Sequence, residues 1–168
     1  MAREITLNGN KFSLLGSELK IGAAAPDFTL SANDLSDVSL KDFKGRIVIL
    51  STVPSLDTPT CSIETARFNQ EAGKLGDKVK VLTVSRDLPF AQSRWCAAQG
   101  IENVQTLSDY KNTSFSKDYG VFMEGLCLLA RAVFIIDAQG IIRYIQFVEE
   151  VSNEPDYKSI LDNIKELI

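Results

Sequence analysis

Short apolar runs alternate along the chain with longer amphipathic stretches, which predicts a protein of mixed α and β structure. The apolar runs are rich in β-branched residues, as is typical of strands, and they are residues 46–51, 78–84, 104–107, 132–136 and 141–147. The helical patterns between and after them are residues 59–75, 89–98, 114–119 and 155–168. Strands and helices therefore follow each other in turn over most of the chain.

Turn residues identify two hairpins. Asn8-Gly9 joins residues 4–7 to residues 11–14, and this dipeptide suits a tight type I′ turn. The stretch Asp137-Ala-Gln-Gly140 joins the last two strand candidates in the same way. Two shorter strand candidates lie at 27–30 and 38–40. We therefore expect an N-terminal β-hairpin in addition to the main sheet.

The order of the elements predicts the fold class. It is β-α-β-α-β, followed by a hairpin and a final helix, which indicates a mixed sheet with helices on both faces. A length of 168 residues is enough for one sizeable core, and one domain is the default at this length. No repeat, low-complexity segment or linker divides the chain. We expect a single α/β domain over residues 1–168.

Charge and hydropathy exclude several classes of protein. The net charge is −4 with no basic run, which argues against nucleic acid as a partner. No apolar stretch approaches the length of a membrane span, and the N-terminus has no apolar signal-peptide core. We expect a cytoplasmic protein that does not enter a membrane, although a cleaved leader is an alternative that the sequence leaves open.

The cysteines and the absence of histidine restrict the chemistry. Without histidine, Cys–His protease chemistry and His-bearing metal sites are excluded. Cys61, Cys96 and Cys127 form no C-x-x-C pair, which argues against a zinc site and against a thioredoxin-type dithiol. In a cytoplasmic protein, two paired cysteines favour a transient catalytic disulfide over a structural one.

Cys61 has the surroundings of a reactive thiol. It ends the segment Pro54-Ser-Leu-Asp-Thr58-Pro-Thr-Cys61, which follows a buried strand and leads into a helix. Thr58 suits the N-cap and Pro59 suits the first helical position. Cys61 then lies in the first turn, among free backbone N–H groups at the positive end of the helix dipole. This position favours the thiolate, which is the nucleophilic form of cysteine.

Arg131 is the best candidate for a second positive group near Cys61. It interrupts an apolar sequence, because Leu126-Cys-Leu-Leu-Ala precedes it and Ala-Val-Phe-Ile-Ile follows it. A charge embedded in such a sequence must find a partner or solvent. The alternative interpretation is that Arg131 ends a strand and reaches solvent.

Three motifs together resemble a known family. The P-x-x-x-T-x-x-C pattern of Pro54, Thr58 and Cys61 resembles the active-site motif of peroxiredoxins. Asp87-Leu-Pro-Phe-Ala-Gln-Ser-Arg-Trp-Cys96 and Leu129-Ala-Arg-Ala-Val narrow the resemblance to bacterial thiol peroxidases, which are atypical two-cysteine peroxiredoxins. The resemblance covers nearly the whole chain. It implies a thioredoxin-like fold and no bound cofactor or metal.

The resemblance also implies a role for each motif residue. Cys61 would attack the peroxide and become a sulfenic acid, and Cys96 would resolve it as an intramolecular disulfide. Thr58 would bond the thiolate and the peroxide, Pro54 would shield the thiolate from water, and Arg131 would stabilise it. Thioredoxin would reduce the disulfide. Hydrogen peroxide and alkyl hydroperoxides are the implied substrates, and a homodimer is the implied assembly.

Structural explanations remain for each of these residues. Cys61 is a small buried hydrophobe in the alternative interpretation, and Cys96 is an ordinary helix residue beside Trp95. Thr58 could serve as a helix cap alone, and Pro54 could simply end the strand. Cys127 has apolar neighbours, so we expect an inert buried thiol. A dimer contact or an alternative resolving thiol is its other possible role.

We expect a thioredoxin-dependent thiol peroxidase, and two other functions remain open. A redox sensor would use the same cysteines to signal to a partner, and multiple turnover with thioredoxin would argue against it. A non-enzymatic binding module of the same fold would have an unreactive Cys61. An apolar pocket near Phe90 or Trp95 would favour organic hydroperoxides as substrates.

Overall fold

The structure is a computed structural model that describes residues 3–168, and within them it has a seven-stranded and a four-stranded sheet. The elements in chain order are β1 (Arg3–Leu7), β2 (Asn10–Leu15), β3 (Thr29–Ser31), β4 (Asp37–Ser39), a 3-10 helix (Leu40–Phe43), β5 (Ile47–Thr52), α1 (Pro59–Leu75), β6 (Val79–Ser85), α2 (Pro89–Gln99), β7 (Val104–Ser108), α3 (Ser114–Asp118), β8 (Phe122–Met123), β9 (Leu128–Leu129), β10 (Ala132–Ile136), β11 (Ile142–Phe147) and α4 (Tyr157–Lys165).

The larger sheet is mixed, as the sequence predicts. Its strand order is β11-β10-β5-β6-β7-β3-β4. The strands β5, β6 and β7 are parallel, because α1 and α2 each carry the chain back to the start of the next strand. The strand β10 runs antiparallel to β5 and forms a hairpin with β11. The strand β5 lies inside the sheet between β10 and β6 and is buried along its whole length.

Helices cover both faces of this sheet, which confirms the predicted thioredoxin-like architecture. On one face, Ile47 and Ile49 of β5 pack in a core with Phe68 of α1 and with Ile160 and Ile164 of α4. Successive residues of a strand point to opposite faces. On the other face, Val48 and Leu50 therefore pack with Phe115 of α3, with Tyr119 just beyond it, and with Phe134 of β10.

The N-terminal hairpin forms as predicted, but it belongs to a second sheet. Asn8 and Gly9 both have positive φ, at 52° and 81°, as the type I′ turn requires. The strand order of this sheet is β1-β2-β8-β9. The strands β8 and β9 are two residues long each, which is too short for a periodic pattern to show in the sequence.

The last helix is shorter than the sequence pattern suggests. Asp156 caps it by accepting a hydrogen bond from the Ser159 amide, so α4 starts at Tyr157 and not at Pro155. It ends at Lys165, three residues before the end of the chain. No helix within residues 3–168 has the length and apolar character needed to cross a membrane.

Candidate active site

The loop after β5 positions Cys61 beyond the carboxyl end of that strand. Val53, Pro54 and Leu56 are buried in this loop. Thr58 is the N-cap of α1, and its hydroxyl accepts a hydrogen bond from the Cys61 amide at 3.4 Å. Pro59 occupies the first turn, where the missing N–H costs nothing. Cys61 thus lies in the first turn of the helix, as the sequence predicts.

The Cys61 thiol contacts the guanidinium of Arg131. The distance from Cys61 Sγ to Arg131 Nη2 is 3.2 Å. Neither residue has appreciable exposure, since Cys61 is 0% and Arg131 is 1% exposed. The alternative in which Arg131 reaches solvent is therefore wrong. Because both groups are removed from water, the positive charge acts on the sulfur with little screening.

Glu64 and the backbone of Val151 hold Arg131 in place. Arg131 Nη1 donates to the Glu64 carboxylate, and Arg131 Nε donates to the Val151 carbonyl at 2.8 Å. The hydroxyl of Ser51 donates to Glu64 at 2.8 Å. Glu64 is 0% exposed, so the ion pair is fully buried. These contacts leave Nη2 of Arg131 directed at the sulfur.

Burial and charge shift the titration of this ion pair. Burial alone would lower the pKa of the Arg131 guanidinium, but the Glu64 carboxylate and the Cys61 sulfur outweigh that effect and raise it. Burial raises the pKa of the Glu64 carboxyl, while the charge of Arg131 and the hydroxyl of Ser51 oppose the rise. Arg131 therefore remains a cation beside Cys61.

Glu64 is a site residue that the sequence reasoning missed. It lies three positions after Cys61 in α1, which puts the two side chains on the same side of the helix. A carboxylate at that spacing, in a chain whose buried arginine needs a partner, was an available signal. Val151 contributes only its backbone carbonyl, so its side chain gave no signal at all.

Thr58 and Pro54 both lie in the loop that leads to Cys61, and the side-chain hydrogen bonds of Thr58 involve backbone groups and not the sulfur. The Thr58 hydroxyl donates to the Ser55 carbonyl at 3.1 Å and accepts from the Cys61 amide. This is the capping arrangement that the sequence predicts. The Pro54 side chain is buried. Their proposed roles toward the thiolate and the peroxide remain predictions.

Cys96 lies inside α2, and its sulfur has a different environment. Cys96 Sγ is 3.4 Å from the hydroxyl of Thr106 in β7, which in turn donates to Asn33 at 2.9 Å. Cys96 is 9% exposed, and all three cysteines are free thiols. The structure therefore does not bring Cys96 to Cys61.

The sheet register explains the separation of the two thiols. Ser51, Thr83 and Thr106 are neighbours across β5, β6 and β7. Ser51 contacts Glu64 of α1, and Thr106 contacts Cys96 of α2. Two strand spacings, or about 9.6 Å, separate the backbones of Ser51 and Thr106. The Arg131 partner of Cys61 precedes β10, which lies on the far side of β5 from β7.

A cleft lies between the loop before α1 and the helix α2. It has a volume of about 440 Å³. Trp95 lines it and also packs against the apolar cluster of Val53, Leu56 and Cys61. Asp57, Asp87 and Arg94 make part of the lining polar. Phe90 is 67% exposed and is outside the lining. A cleft does lie beside Trp95, but its lining is partly polar, so the predicted apolar pocket is not confirmed.

The expectation that Cys127 is buried is wrong. Cys127 is exposed and lies in the turn that joins β8 to β9, where its amide donates to the Met123 carbonyl at 3.0 Å. Its φ is 55°, and Gly125 has a φ of 88°. These left-handed residues reverse the chain within the apolar sequence, so the cysteine faces solvent.

The chain is similar to known proteins over nearly its whole length. The family model described as Redoxin matches residues 20–161. A thiol peroxidase of Oceanobacillus iheyensis is 51% identical over 160 residues, which cover 95% of this chain and 97% of the relative. A thiol peroxidase of Bacillus subtilis is 48% identical over 165 residues, which cover 98% of both chains.

Solved structures agree with the fold. A peroxiredoxin-like protein of Aquifex aeolicus matches with a TM-score of 0.93 and 42% identity, and the match covers 100% of this chain and 99% of the other. A thiol peroxidase of Chromobacterium violaceum matches with a TM-score of 0.88 over 99% of this chain and 98% of the other. The latter is 20% identical and supports the fold alone.

Proposed function

The chain belongs to the redoxin family, and within it to the thiol peroxidases, and from this premise we propose that Cys61 and Cys96 carry out a two-cysteine peroxidase cycle. The substrates are hydrogen peroxide and alkyl hydroperoxides, and thioredoxin returns the enzyme to its dithiol form. The proposal needs no metal or bound cofactor, because the thiols exchange electrons directly with the peroxide and the reductant.

The first step oxidises Cys61. The thiolate attacks the terminal peroxide oxygen, so an S–O bond forms while the O–O bond breaks. The leaving hydroxide or alkoxide takes the bonding electron pair and a proton from solvent. Cys61 is left as a sulfenic acid, two electrons more oxidised than the thiol. The Arg131 cation favours the thiolate and also the negative charge that develops on the peroxide oxygens.

The second step resolves the sulfenic acid. The Cys96 thiolate attacks the Cys61 sulfur, the S–S bond forms, and the S–O bond breaks to release hydroxide, which becomes water. Thioredoxin then supplies two electrons and two protons through its own dithiol, and it leaves as a disulfide. Thr58 and Pro54 complete the site by shaping the pocket in which the first step takes place.

One observation carries this proposal, namely the contact between Cys61 Sγ and Arg131 Nη2 at 3.2 Å inside a fully buried site. A cysteine kept only for packing has no need of a buried cation. Burying a guanidinium is costly unless it is paired and hydrogen-bonded. One of the two terminal nitrogens of Arg131 is directed at the sulfur. The arrangement is that of an activated thiol.

Location and assembly are further parts of the proposal. We place the enzyme in the cytoplasm, where thioredoxin keeps thiols reduced. We also propose a homodimer, which sedimentation of the reduced protein would test. A monomer across the working concentration range would contradict the dimer without affecting the chemistry.

A coupled assay tests the peroxidase cycle. The consumption of NADPH is followed with thioredoxin, thioredoxin reductase and either hydrogen peroxide or an alkyl hydroperoxide. We expect turnover by the wild type and by Cys127→Ser, which serves as the matched cysteine control. Cys61→Ser should show none, because a serine hydroxyl is not appreciably ionised near neutral pH. Turnover by Cys61→Ser would contradict the assignment.

A further inference from the structure

The carboxylate of Asp87 connects the loop that precedes α1 with the end of β6. Its Oδ1 accepts from the Ser55 hydroxyl at 2.7 Å. Its Oδ2 accepts from the Leu56 amide at 2.8 Å and from the Ser85 hydroxyl at 2.7 Å. Three donors from two separate segments therefore meet on one side chain. Hydrogen bonds to an ionised carboxylate are stronger than those between neutral groups.

The two connected segments lead to the two cysteines of the cycle. Ser55 and Leu56 precede the Thr58 cap of α1, and the Leu56 side chain packs against Cys61. On the other side, Asp87 is two residues before Pro89, where α2 begins and leads to Cys96. Asp87 thus connects the Cys61 loop to the start of the Cys96 helix by hydrogen bonds from Ser55 and Leu56.

We propose that Asp87 is a positioning residue that holds the Cys61 loop in the peroxide-reactive arrangement and so sets how fast Cys61 moves to Cys96. This rests on the proposed function, in which the same Cys61 must reside beside Arg131 for the first step and leave it for the second. When Cys61 leaves with its loop, the bonds from Ser55 and Leu56 to Asp87 break. Asp87 therefore favours the closed form, in which Cys61 lies beside Arg131, over the opened form, in which Cys61 has left with its loop.

The consequence is a competition between two fates of the sulfenic acid. In the closed form, the Cys61 sulfenate can attack a second peroxide, so a second S–O bond forms and the O–O bond breaks. The leaving hydroxide or alkoxide takes the bonding electron pair and a proton from solvent, and a sulfinic acid results. In the opened form, Cys96 attacks instead and the disulfide forms. Weakening the closed form should shift the outcome toward the disulfide. A higher peroxide concentration is then needed to produce the sulfinic acid.

The variant Asp87→Ala removes all three bonds, and Asp87→Asn is the conservative rescue. The asparagine oxygen can still accept from the Leu56 amide and the Ser85 hydroxyl, and its amide can donate to the Ser55 oxygen. Of the three bonds to Asp87, Ser55→Ala removes the one to Oδ1 and leaves the other two, and it serves as a second, milder variant. It also removes the bond from the Asp57 amide to the Ser55 hydroxyl.

Asp137 offers a matched control at the opposite end of the sheet. Its carboxylate also holds a turn together, because it accepts hydrogen bonds from the amides of Gln139 and Ile141 and from the side chain of Arg143. Asp137→Ala therefore removes a comparable set of bonds without touching either cysteine segment. It separates a general loss of stability from a change in the Cys61 loop.

The experiment titrates reduced protein with hydrogen peroxide in the absence of reductant and measures disulfide and sulfinic acid by intact mass. The readout is the peroxide concentration at which half of the molecules carry a sulfinic acid. For Asp87→Ala we expect this concentration to rise by roughly tenfold, since loss of a charge-assisted bond changes an equilibrium by about that factor. Asp87→Asn should return it to within about threefold of the wild type, and Asp137→Ala should leave it unchanged.

An unchanged value for Asp87→Ala overturns the inference, and so does an equal rise for Asp137→Ala. If Asp87→Ala does not fold, Ser55→Ala takes its place. We then expect a smaller rise in the peroxide concentration that gives half sulfinic acid, and an unchanged concentration overturns the inference. The wild-type titration separates this failure from failure of the proposed function. If peroxide yields no Cys61–Cys96 disulfide in the wild type, both are wrong. If the disulfide forms and the variants match the wild type, only the role of Asp87 is wrong.

Discussion

Arg131 contacts Cys61 with one terminal nitrogen of its guanidinium and Glu64 with the other. The cation therefore lies between a thiol and a carboxylate, and all three side chains are buried. Glu64 compensates the charge of Arg131 and fixes its orientation, while the second nitrogen stays available for the sulfur. The first two predictions concern this arrangement.

Replacing Arg131 with Met should slow the reaction of Cys61 with peroxide at neutral pH by at least about tenfold. The variant removes the cation that favours the thiolate and leaves the Glu64 carboxylate nearby without its partner. Stopped-flow measurement of the first step under single-turnover conditions would show the effect. A rate equal to that of the wild type would remove Arg131 from the chemistry.

Replacing Glu64 with Gln should lower the free energy of unfolding by about 3 kcal/mol, because it leaves a buried guanidinium without its counter-charge. The double variant Arg131→Met/Glu64→Gln should lose less than the sum of the two single variants, since no unpaired charge remains. Urea unfolding of the four proteins gives the coupling free energy. Additive losses would mean that the two side chains do not act as a pair.

The main sheet and its helices could be predicted because each has a local signal. The strand predicted at 46–51 contains the continuous apolar run Ile47-Val-Ile-Leu50, and β5 is buried at every position. A type I′ turn requires positive φ at both central residues, and Asn-Gly is one of the few pairs that adopt these values easily. The N-terminal turn could therefore be predicted from Asn8-Gly9. The first helix was predicted from Thr58 and Pro59, which begin it in the structure.

The missed features depend on contacts that the local pattern does not contain. The Val151 carbonyl reaches Arg131 from 20 residues away, and Glu64 reaches it from 67 residues away. The sequence pattern contains no signal for the Val151 carbonyl, and the signal for Glu64 is its position three residues after Cys61 in α1. Cys127 was misjudged because Leu126-Cys-Leu-Leu resembles a buried strand, whereas its first two residues form the turn before β9. Gly125 is the local residue that indicates this turn.

The stability of the protein should depend on pH through Asp109, a buried residue just after β7. Burial raises the pKa of Asp109 to about 6, although a hydrogen bond from Ser116 and the charge of Arg86 limit the rise. The folded protein then holds this proton more tightly than the unfolded chain, whose aspartate titrates near 3.8. The stabilisation is fully present below about pH 4 and is lost as the pH rises through about 6.

Thermal unfolding of the wild type and of Asp109→Asn from pH 4 to pH 7 would test this dependence. Relative to the variant, which does not titrate at this position, the wild type should lose stability as the pH rises across that range. Any other group that titrates contributes equally to both proteins and cancels in the difference. A constant difference between the two curves would show that Asp109 titrates alike in the folded and unfolded chains.

Replacing Cys96 with Ser should separate the two steps of the cycle. The first reaction with peroxide should proceed at the wild-type rate, because Cys96 contacts Thr106 and not the Cys61 site. The sulfenic acid should then accumulate, and a trapping reagent should detect it on Cys61 by mass spectrometry. Steady turnover with thioredoxin should be lost. If Cys96→Ser still turns over, adding Cys127→Ser would show whether the exposed third thiol replaces it.

The last prediction is that disulfide formation requires local unfolding. A disulfide needs Cα atoms within about 7 Å and side chains that face each other. In the structure, Cys61 faces Arg131 on one side of β5, whereas Cys96 faces Thr106 two strands away on the other side. Each cysteine is held within a helix, so neither can reach the other while α1 and α2 are intact. Unwinding of the first turn of α1, of the part of α2 around Cys96, or of both is therefore needed.

Amide hydrogen exchange on the reduced and the oxidised protein would show this rearrangement. Local opening of a helix end costs far less free energy than global unfolding, so the oxidised form should remain folded while residues 58–66, residues 89–98 or both lose protection. The buried strand β5 should keep its protection in both forms, which makes it the internal reference. Equal protection of both helical segments before and after oxidation would mean that the disulfide forms without unwinding. The separation of the two thiols would then have to close by a rigid shift of α2 against β7, a movement that would break the contact between Cys96 and Thr106 but leave the helical hydrogen bonds intact.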